Sequence, residues 1–469
     1  MTGPDPLVRE LLVALDRAAG VPLRRQLETH LRAGVRDGRL RAGTRLPSSR
    51  DLARQLGVSR GVVVDAYAAL GAQGFLVLRP RAAPVVAAVA PAAPADEDAS
   101  EDEDRPPRHD FTATAPDVAL FDRAAWARAL ARVLREAPDA ALDYGDPLGT
   151  PAARAALAGH LGRVRGVVAD PAAVAIVQGY TQAVDVAFRA LADRGARVVA
   201  FESPSHDEQW RVARRAGLRP VTVPVDADGL RVDALAATDA DAVVVTPAHQ
   251  FPTGVVLAPE RRRALLAWAA ERGATIVEDD YDAEFRYDRA PVGTLQGLDP
   301  ERVLYVGTAS KTLAPALRTG WAVVPATLRP AFAAGKNDAD GGSPALEQLA
   351  LAELLRGGAY ERGVLRARAR YRARRDALVA ALRAELPACG IAGVAAGLHL
   401  VLRLPAGADE AAAAAACAAA RIRVRPLGDW ALDGVRDPAP ALVLGYGWLA
   451  EPAIPAAVRA LAAALATVA

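Results

Sequence analysis

The sequence predicts a multidomain α/β protein, and three observations carry that expectation. At 469 residues the chain is too long for one simple core. After residue 110, short apolar runs at 174–177, 198–201, 242–245, 275–277 and 303–306 alternate with helical patterns such as 182–192 and 259–272. Continuous apolar strands separated by helices predict a largely parallel, buried sheet. Charge is also divided along the chain. Residues 1–83 hold fourteen Arg against seven Asp or Glu, and residues 84–109 hold seven acidic side chains against Arg105 and Arg108. The expected division is a front module over 1–83, an acidic linker over 84–109 and a large domain over 110–469. Within the last, a large subdomain at about 160–325 is expected beside a small one built from 110–150 and 330–469.

Composition excludes several classes. Cys389 and Cys417 are the only cysteines, too few for a disulfide framework and consistent with a reducing compartment. The Ala-rich stretch 411–420 is too short and too weakly apolar to span a membrane, and residues 1–5 do not lead into a signal-peptide core. A cytoplasmic protein with no membrane partner is expected.

In the front module, Leu23, Leu27, Leu31 and Val35 recur on one helical face. Gly43 breaks the pattern. Ser48 or Ser49 can then cap a short helix ending near Leu56. Gly57-Val58-Ser59 makes a tight turn, and Ser59 can cap a second helix from Arg60 to about Leu70, with Val63, Ala66, Tyr67 and Leu70 on its buried face. This is helix-turn-helix punctuation, in which the second helix enters the major groove of DNA. Arg50, Ser59 and Arg60 fall where phosphates and base edges would be met.

The linker is rich in Ala, Pro, Asp and Glu, including residues 96–98 and 101–104. It has too little apolar content for a core and reads as a self-repelling tether.

The large domain contains the most informative residue. Only Lys311 and Lys336 are lysines among 57 basic residues, so a lysine in an ordered motif needs a reason. Lys311 follows the strand at 303–306, with Thr308 and Ser310 before it and Arg318 after it. An amine of lowered pKa forms a Schiff base with an aldehyde, which a guanidinium does not. The hydroxyls and Arg318 are what a phosphate-bearing aldehyde requires, so the segment points to pyridoxal phosphate. Two further features support it. Glu278-Asp279-Asp280-Tyr281 follows the strand at 275–277, offering a carboxylate for a protonated pyridine and a phenol for the ring oxygen. Gly179-Tyr180-Thr181-Gln182 follows the strand at 174–177 and opens a helix, which suits a phosphate. All of these lie at strand ends, where ligands of such sheets bind. No metal site is assigned.

Two resemblances cover the chain apart from the linker. Residues 20–80 resemble the winged helix-turn-helix of GntR-type bacterial regulators through 43–50, 56–60 and 67–70. That resemblance implies DNA contacts by Arg45, Ser48, Arg50, Ser59 and Arg60, with a wing beginning at 74–78 whose tip, 79–84, lacks the usual glycine. Residues 110–469 resemble fold-type I aminotransferases through 143–149, 178–183, 246–254, 278–286 and 310–318. The combination is similar to the MocR subfamily of GntR regulators. It implies that Lys311 carries the Schiff base, Asp279 pairs with the pyridine nitrogen and Tyr281 reaches the ring oxygen. Tyr180, Thr181, Thr308, Ser310 and Arg318 would surround the phosphate. Tyr144 would reach the phosphate of a second subunit, which implies a homodimer.

Three departures bear on function. His206 stands where the family stacks a Tyr on the cofactor ring, and its imidazole is expected to titrate near neutrality. An early substrate-side Gly is replaced near Thr114. The late Arg that clamps a substrate carboxylate has no clear counterpart, Arg436 being the nearest. The expected function is a transcriptional regulator that binds a DNA operator and senses an amine, an amino acid or pyridoxal phosphate itself, with no enzymatic role beyond residual transamination. A working aminotransferase and a DNA-binding protein with an inert dimerisation scaffold remain open alternatives.

Overall fold

A computed structural model describes residues 15–88, 106–287, 292–432 and 439–468. The chain divides into two compact units, Met1–Arg105 and Pro106–Ala469. Residues 89–105, most of the expected linker, and Arg436 lie outside the described residues.

The first unit packs three helices, α1 (Leu23–Arg36), α2 (Ser49–Leu56) and α3 (Arg60–Ala72). Leu27, Leu31, Val35, Leu52, Val63, Tyr67 and Leu70 share one core, and the Tyr67 hydroxyl donates to the carbonyl of Pro47 at 3.0 Å. Ser48 caps α2 by accepting from the Asp51 N–H. Gly57 ends α2 at φ 63°, the left-handed conformation that glycine supplies without strain. Ser59 does occupy the N-cap of α3, but its side chain makes no capping bond, contrary to the sequence reading. The wing is an antiparallel ribbon of β1 (Leu76–Val77) and β2 (Val85–Val86). Its second strand therefore lies just past the boundary expected at residue 83. At its tip Arg81 takes φ 62°, a left-handed conformation in which glycine would be unstrained.

The second unit opens with β3 (His109–Asp110), α4 (Arg123–Glu136) and α5 (Pro151–Arg165). Its main sheet contains β4 (Val174–Val177), β5 (Val198–Ser203), β6 (Arg219–Asp226), β7 (Gly229–Leu230), β8 (Ala242–Val245), β9 (Thr275–Asp280), β10 (Val303–Thr308) and β11 (Gly320–Val323). Their order is β4-β11-β10-β9-β8-β5-β6-β7. The run from β10 through β6 is parallel, while β11 pairs antiparallel with both β10 and β4. The intervening helices are α6 (Tyr180–Asp193), α7 (Asp207–Arg215), α8 (Val232–Ala236) and α9 (Pro259–Arg272). One sheet face packs on α6 through Val184, Ala187 and Phe188, and the other on α9 through Leu265 and Trp268.

The chain continues through α10 (Arg329–Asp340), α11 (Ala345–Arg356), α12 (Ala359–Glu385), β12 (Gly390–Ala392), β13 (His399–Arg403), α13 (Glu410–Ala419), β14 (Ile422–Arg423), β15 (Arg425–Pro426), β16 (Ala441–Gly445) and α14 (Ile454–Leu465). A second antiparallel sheet, β12-β13-β16-β15, packs on α12, α13 and α14. β14 pairs in parallel with β3. Residues of α4, α5 and α11 share a core with Val174, Ile176 and Trp321 of the main sheet. Apolar faces of 123–136 and 345–356, within the expected small subdomain, pack against the main sheet. No helix among the described residues is long and apolar enough to cross a membrane.

Candidate functional site

One cavity of about 180 Å³ is lined by Tyr180, Thr181, His206, Asp279, Tyr281, Thr308, Ser310, Lys311 and Arg318. Nine of the ten residues expected at a cofactor site thus converge. The tenth, Tyr144, does not: it is 98% exposed and lines a different, larger cavity of about 1190 Å³ with segments of 132–152 and 341–356.

β9 delivers the acidic group. It runs through Asp280, so Glu278, Asp279 and Asp280 lie within the strand rather than after it. Side chains alternate along a strand, and here the alternation sorts the three. Glu278 accepts from the N–H groups of Leu295 and Gln296, both at 2.9 Å. Asp280 pairs with Arg165 at 2.8 Å and accepts from the Tyr305 hydroxyl at 2.6 Å. Asp279 alone faces the cavity. Its Oδ1 is buried without a hydrogen-bond partner, and burial, together with the charges of Asp280 and Asp282, raises its pKa well above the ordinary carboxylate range. A cationic donor at that Oδ1 would satisfy it and favour the charged carboxylate.

Lys311 follows β10. Burial lowers its pKa, against the opposing pull of Asp282 and Asp279, which leaves more of the amine nucleophilic. The loop is held by Thr308 Oγ1, which lies 2.9 Å from Ser310 Oγ and accepts from the Ser310 N–H at 3.1 Å. Downstream, Thr312 Oγ1 is 2.9 Å from the Tyr360 hydroxyl, which donates to Glu284 at 3.0 Å.

The N-terminus of α6 supplies an anion cradle. Gly179, at φ 82°, precedes it with no side-chain cap, so first-turn N–H groups are left for a ligand. A Cβ at Gly179 would stand 3.1 Å from the Arg318 guanidinium.

His206 contacts Phe251 and Trp430, with ring centroids 5.7 and 5.6 Å away. Burial lowers its pKa, the nearby acids Glu208 and Asp207 opposing and Arg425 and Lys311 reinforcing the shift. Desolvation thus favours the neutral ring. Thr114 also lines the cavity, and its φ of 62° is one that a β-branched residue rarely adopts. The glycine expected there is explained by the backbone.

Sequence reading missed two groups. Arg425, on β15, lies with its guanidinium carbon 3.6 Å from the centroid of the Trp430 ring, placing a cation beside His206. Beneath Tyr281, three buried residues, His249, Asp282 and His399, bring ligand-type atoms within 4.8 Å of one another. Hydrogen bonds engage one ring nitrogen of each histidine, while His249 Nε2 and His399 Nδ1 are buried without a partner. His249 Nδ1 is 2.9 Å from Asp282 Oδ2 and 3.1 Å from the Tyr281 hydroxyl, and His399 Nε2 is 3.1 Å from the Pro252 carbonyl. Since a carboxylate only accepts, His249 Nδ1 carries the proton, and the cluster orients Tyr281. No local spacing signals it, because its members lie on three separate elements.

In the first unit, Arg45, Ser48, Arg50, Ser59 and Arg60 are all exposed. Arg60 Nε donates to Ser49 Oγ at 3.3 Å, joining α3 to the start of α2.

Comparison with known proteins agrees with this architecture. Residues 116–431 match the family Aminotransferase class I and II, and residues 23–86 match Bacterial regulatory proteins, gntR family. The probable rhizopine catabolism regulatory protein MocR of Rhizobium meliloti is 35% identical over 395 residues, covering 80% of each chain. The pyridoxine biosynthesis transcriptional regulator PdxR of Corynebacterium glutamicum is 33% identical, covering 84% of this chain and 86% of its own. Among solved structures, LysN, an α-aminoadipate aminotransferase of Thermus thermophilus complexed with N-(5'-phosphopyridoxyl)-L-leucine, superposes with a TM-score of 0.69 at 29% identity, over 76% of this chain and 92% of that one. The fold is thus a gntR-type winged helix-turn-helix joined to a fold-type I, pyridoxal phosphate-binding aminotransferase domain. The chain belongs to the MocR subfamily of GntR-type transcriptional regulators.

Proposed function

We propose that the aminotransferase domain of this regulator holds pyridoxal phosphate on Lys311 and senses an amine, an amino acid or pyridoxal phosphate itself, passing the signal to operator DNA. The observation that carries this reading is Asp279, whose buried Oδ1 has no hydrogen-bond partner in the cavity that also receives Lys311. Pyridoxal phosphate bound there would supply an electrophilic carbonyl for amines and a cationic ring nitrogen. Asp279 would pair with that nitrogen, and Tyr281, oriented by His249, would donate to the ring oxygen. Tyr180, Thr181, Thr308, Ser310 and Arg318 would hold the phosphate, and His206 would cover the ring. Arg425 offers a positive charge for a carboxylate-bearing effector.

Tyr144 supports a homodimer as the working unit. Its nearly complete exposure, on the wall of the larger cavity, leaves it available to a second copy. Effector binding would shift a preformed balance between arrangements of the DNA-binding units. The exposed Arg45, Ser48, Arg50, Ser59 and Arg60 would meet the operator, a role that fits a cytoplasmic protein.

A second reading, a working transaminase, is favoured by the nine expected cofactor residues that line one cavity and by 31% identity to a 2-aminoadipate transaminase of Thermus thermophilus. Borohydride reduction followed by peptide mapping tests the shared premise: label on Lys311 is expected, and label on no lysine would remove it. Keto-acid production then separates the two readings, rapid turnover of a common amino acid favouring the enzyme.

A further inference from the structure

Gln178 and Gln182 flank the turn that opens α6, and neither lines the cavity. Both side chains turn instead to one carboxylate. Gln178 Nε2 and Gln182 Nε2 donate to Asp340 Oδ2 at 3.1 and 2.8 Å, while Gln182 Oε1 accepts from the Gln178 N–H at 2.7 Å. The last residue of α10 therefore pins both ends of the segment whose N–H groups and hydroxyls form the anion cradle.

A carboxylate so close to an anion-binding helix N-terminus competes with the anion for the same positive end of the dipole. Lys336, one turn earlier on α10, answers that charge. It is 0% exposed, and its Nζ lies 2.6 and 2.8 Å from the two Asp340 oxygens and 3.1 Å from Ser343 Oγ. Three ammonium protons meet three acceptors, so no donor is left over. A guanidinium, with five donors in a planar fork, would leave some buried and unsatisfied. This explains why one of only two lysines in an arginine-dominated chain stands here. Asp340 Oδ1 also accepts from the Gly342 N–H at 2.9 Å, which completes a closed network.

We propose that Lys336 and Asp340 are positioning residues of the anion cradle: Asp340 fixes the turn through Gln178 and Gln182, and Lys336 cancels its charge so that the turn accepts a phosphate monoester. This rests on the reading that the cavity holds pyridoxal phosphate. Without Lys336, Asp340 either stays charged and repels the phosphate, or takes a proton and loses acceptor capacity for the glutamines. Both outcomes weaken the grip on phosphate and leave the ring contacts of Asp279, Tyr281 and Lys311 in place.

The test compares pyridoxal phosphate with pyridoxal, which lacks the phosphate, by absorbance titration of the full-length protein. Lys336→Met should weaken pyridoxal phosphate binding about tenfold or more, and pyridoxal binding by no more than about twofold. Lys336→Met combined with Asp340→Asn, which removes both charges, should restore most of the ratio between the two ligands. Gln182→Met, a neutral change at a partly exposed helical site, should lower the same ratio less steeply, and it carries the test if Lys336→Met does not fold. Equal losses for both ligands, which a merely structural role would give, would overturn the proposal, as would unchanged affinities. Failure of the double variant to recover the ratio would remove the charge-cancelling role. Absence of pyridoxal phosphate binding by the unaltered protein would sink the cofactor reading itself, and this proposal with it.

Discussion

Arg318 Nη2 donates to the carbonyl of Gln178 across 3.0 Å, clasping the loop after β10 to the end of β4 at the cavity wall. Arg318 does this from φ 47°, a left-handed conformation in which glycine would be unstrained. An arginine retained at such a site serves through its side chain. Arg318→Ala and Arg318→Gly should both weaken pyridoxal phosphate binding, by about 1.5–3 kcal/mol if a charge-assisted contact to phosphate is lost. The Gly variant should be the more stable of the two by roughly 0.4–1 kcal/mol or more, since alanine is strained at positive φ. Titration and thermal melting of both variants check this.

Thr114 poses the same backbone problem with less evident return. Thr114→Gly should raise stability, because a β-branched residue at positive φ costs on the order of 1–3 kcal/mol, less the entropy that glycine adds to the unfolded chain. Calorimetry of the cofactor-free protein measures the net gain.

The buried carboxyl groups make stability depend on pH. Burial raises Glu202 and Glu278 each from 4.5 to about 7. A carboxyl group whose folded pKa exceeds its unfolded one contributes stability below the unfolded value and loses it as pH rises through the folded value. Cofactor-free protein should therefore become less stable from about pH 4.5 to pH 7. Glu202→Gln should flatten that slope, since an amide oxygen still accepts from Thr246. Denaturant melts across the range give the answer, and an unchanged slope would remove Glu202 from the account.

On the DNA side, Arg50→Ala and Arg60→Ala should each weaken operator binding. A guanine-edge contact by Arg60 is worth about 1–3 kcal/mol and would relax sequence preference when lost. A phosphate contact would instead lower affinity evenly and flatten the salt dependence. Binding isotherms at several salt concentrations distinguish them.

Much of this was legible in the sequence, for identifiable reasons. Buried parallel strands read as apolar runs because both faces are covered, and Lys311 stood out because lysine is almost absent. Helix punctuation is local chemistry: the cap left open between Ser48 and Ser49 is Ser48, and Gly57 makes the expected turn. What escaped notice depends on distant partners. Asp279 is picked out through the resemblance alone; its local sequence does not separate it from Glu278 and Asp280, which the N–H groups of Leu295 and Gln296 and the guanidinium of Arg165 claim. Arg425 gains meaning only when β15 brings it over Trp430. Lys336 is given no role from the sequence, and only the fold carries Gln178 and Gln182 to its partner Asp340. The apolar stripes of α4 and α11 do not announce which sheet they cover.

The central claim is that chemistry at Lys311 governs DNA affinity. Its most direct test is operator binding by the full-length protein, unaltered and as Lys311→Ala, measured with pyridoxal phosphate across a panel of amino acids and amines while the cofactor spectrum is followed. The account predicts that a compound perturbing the spectrum also changes operator affinity in the unaltered protein, because coupling between two sites is reciprocal, and that Lys311→Ala loses both responses. Spectral changes with unaltered DNA affinity throughout the panel, or an undiminished DNA response in Lys311→Ala, would contradict it.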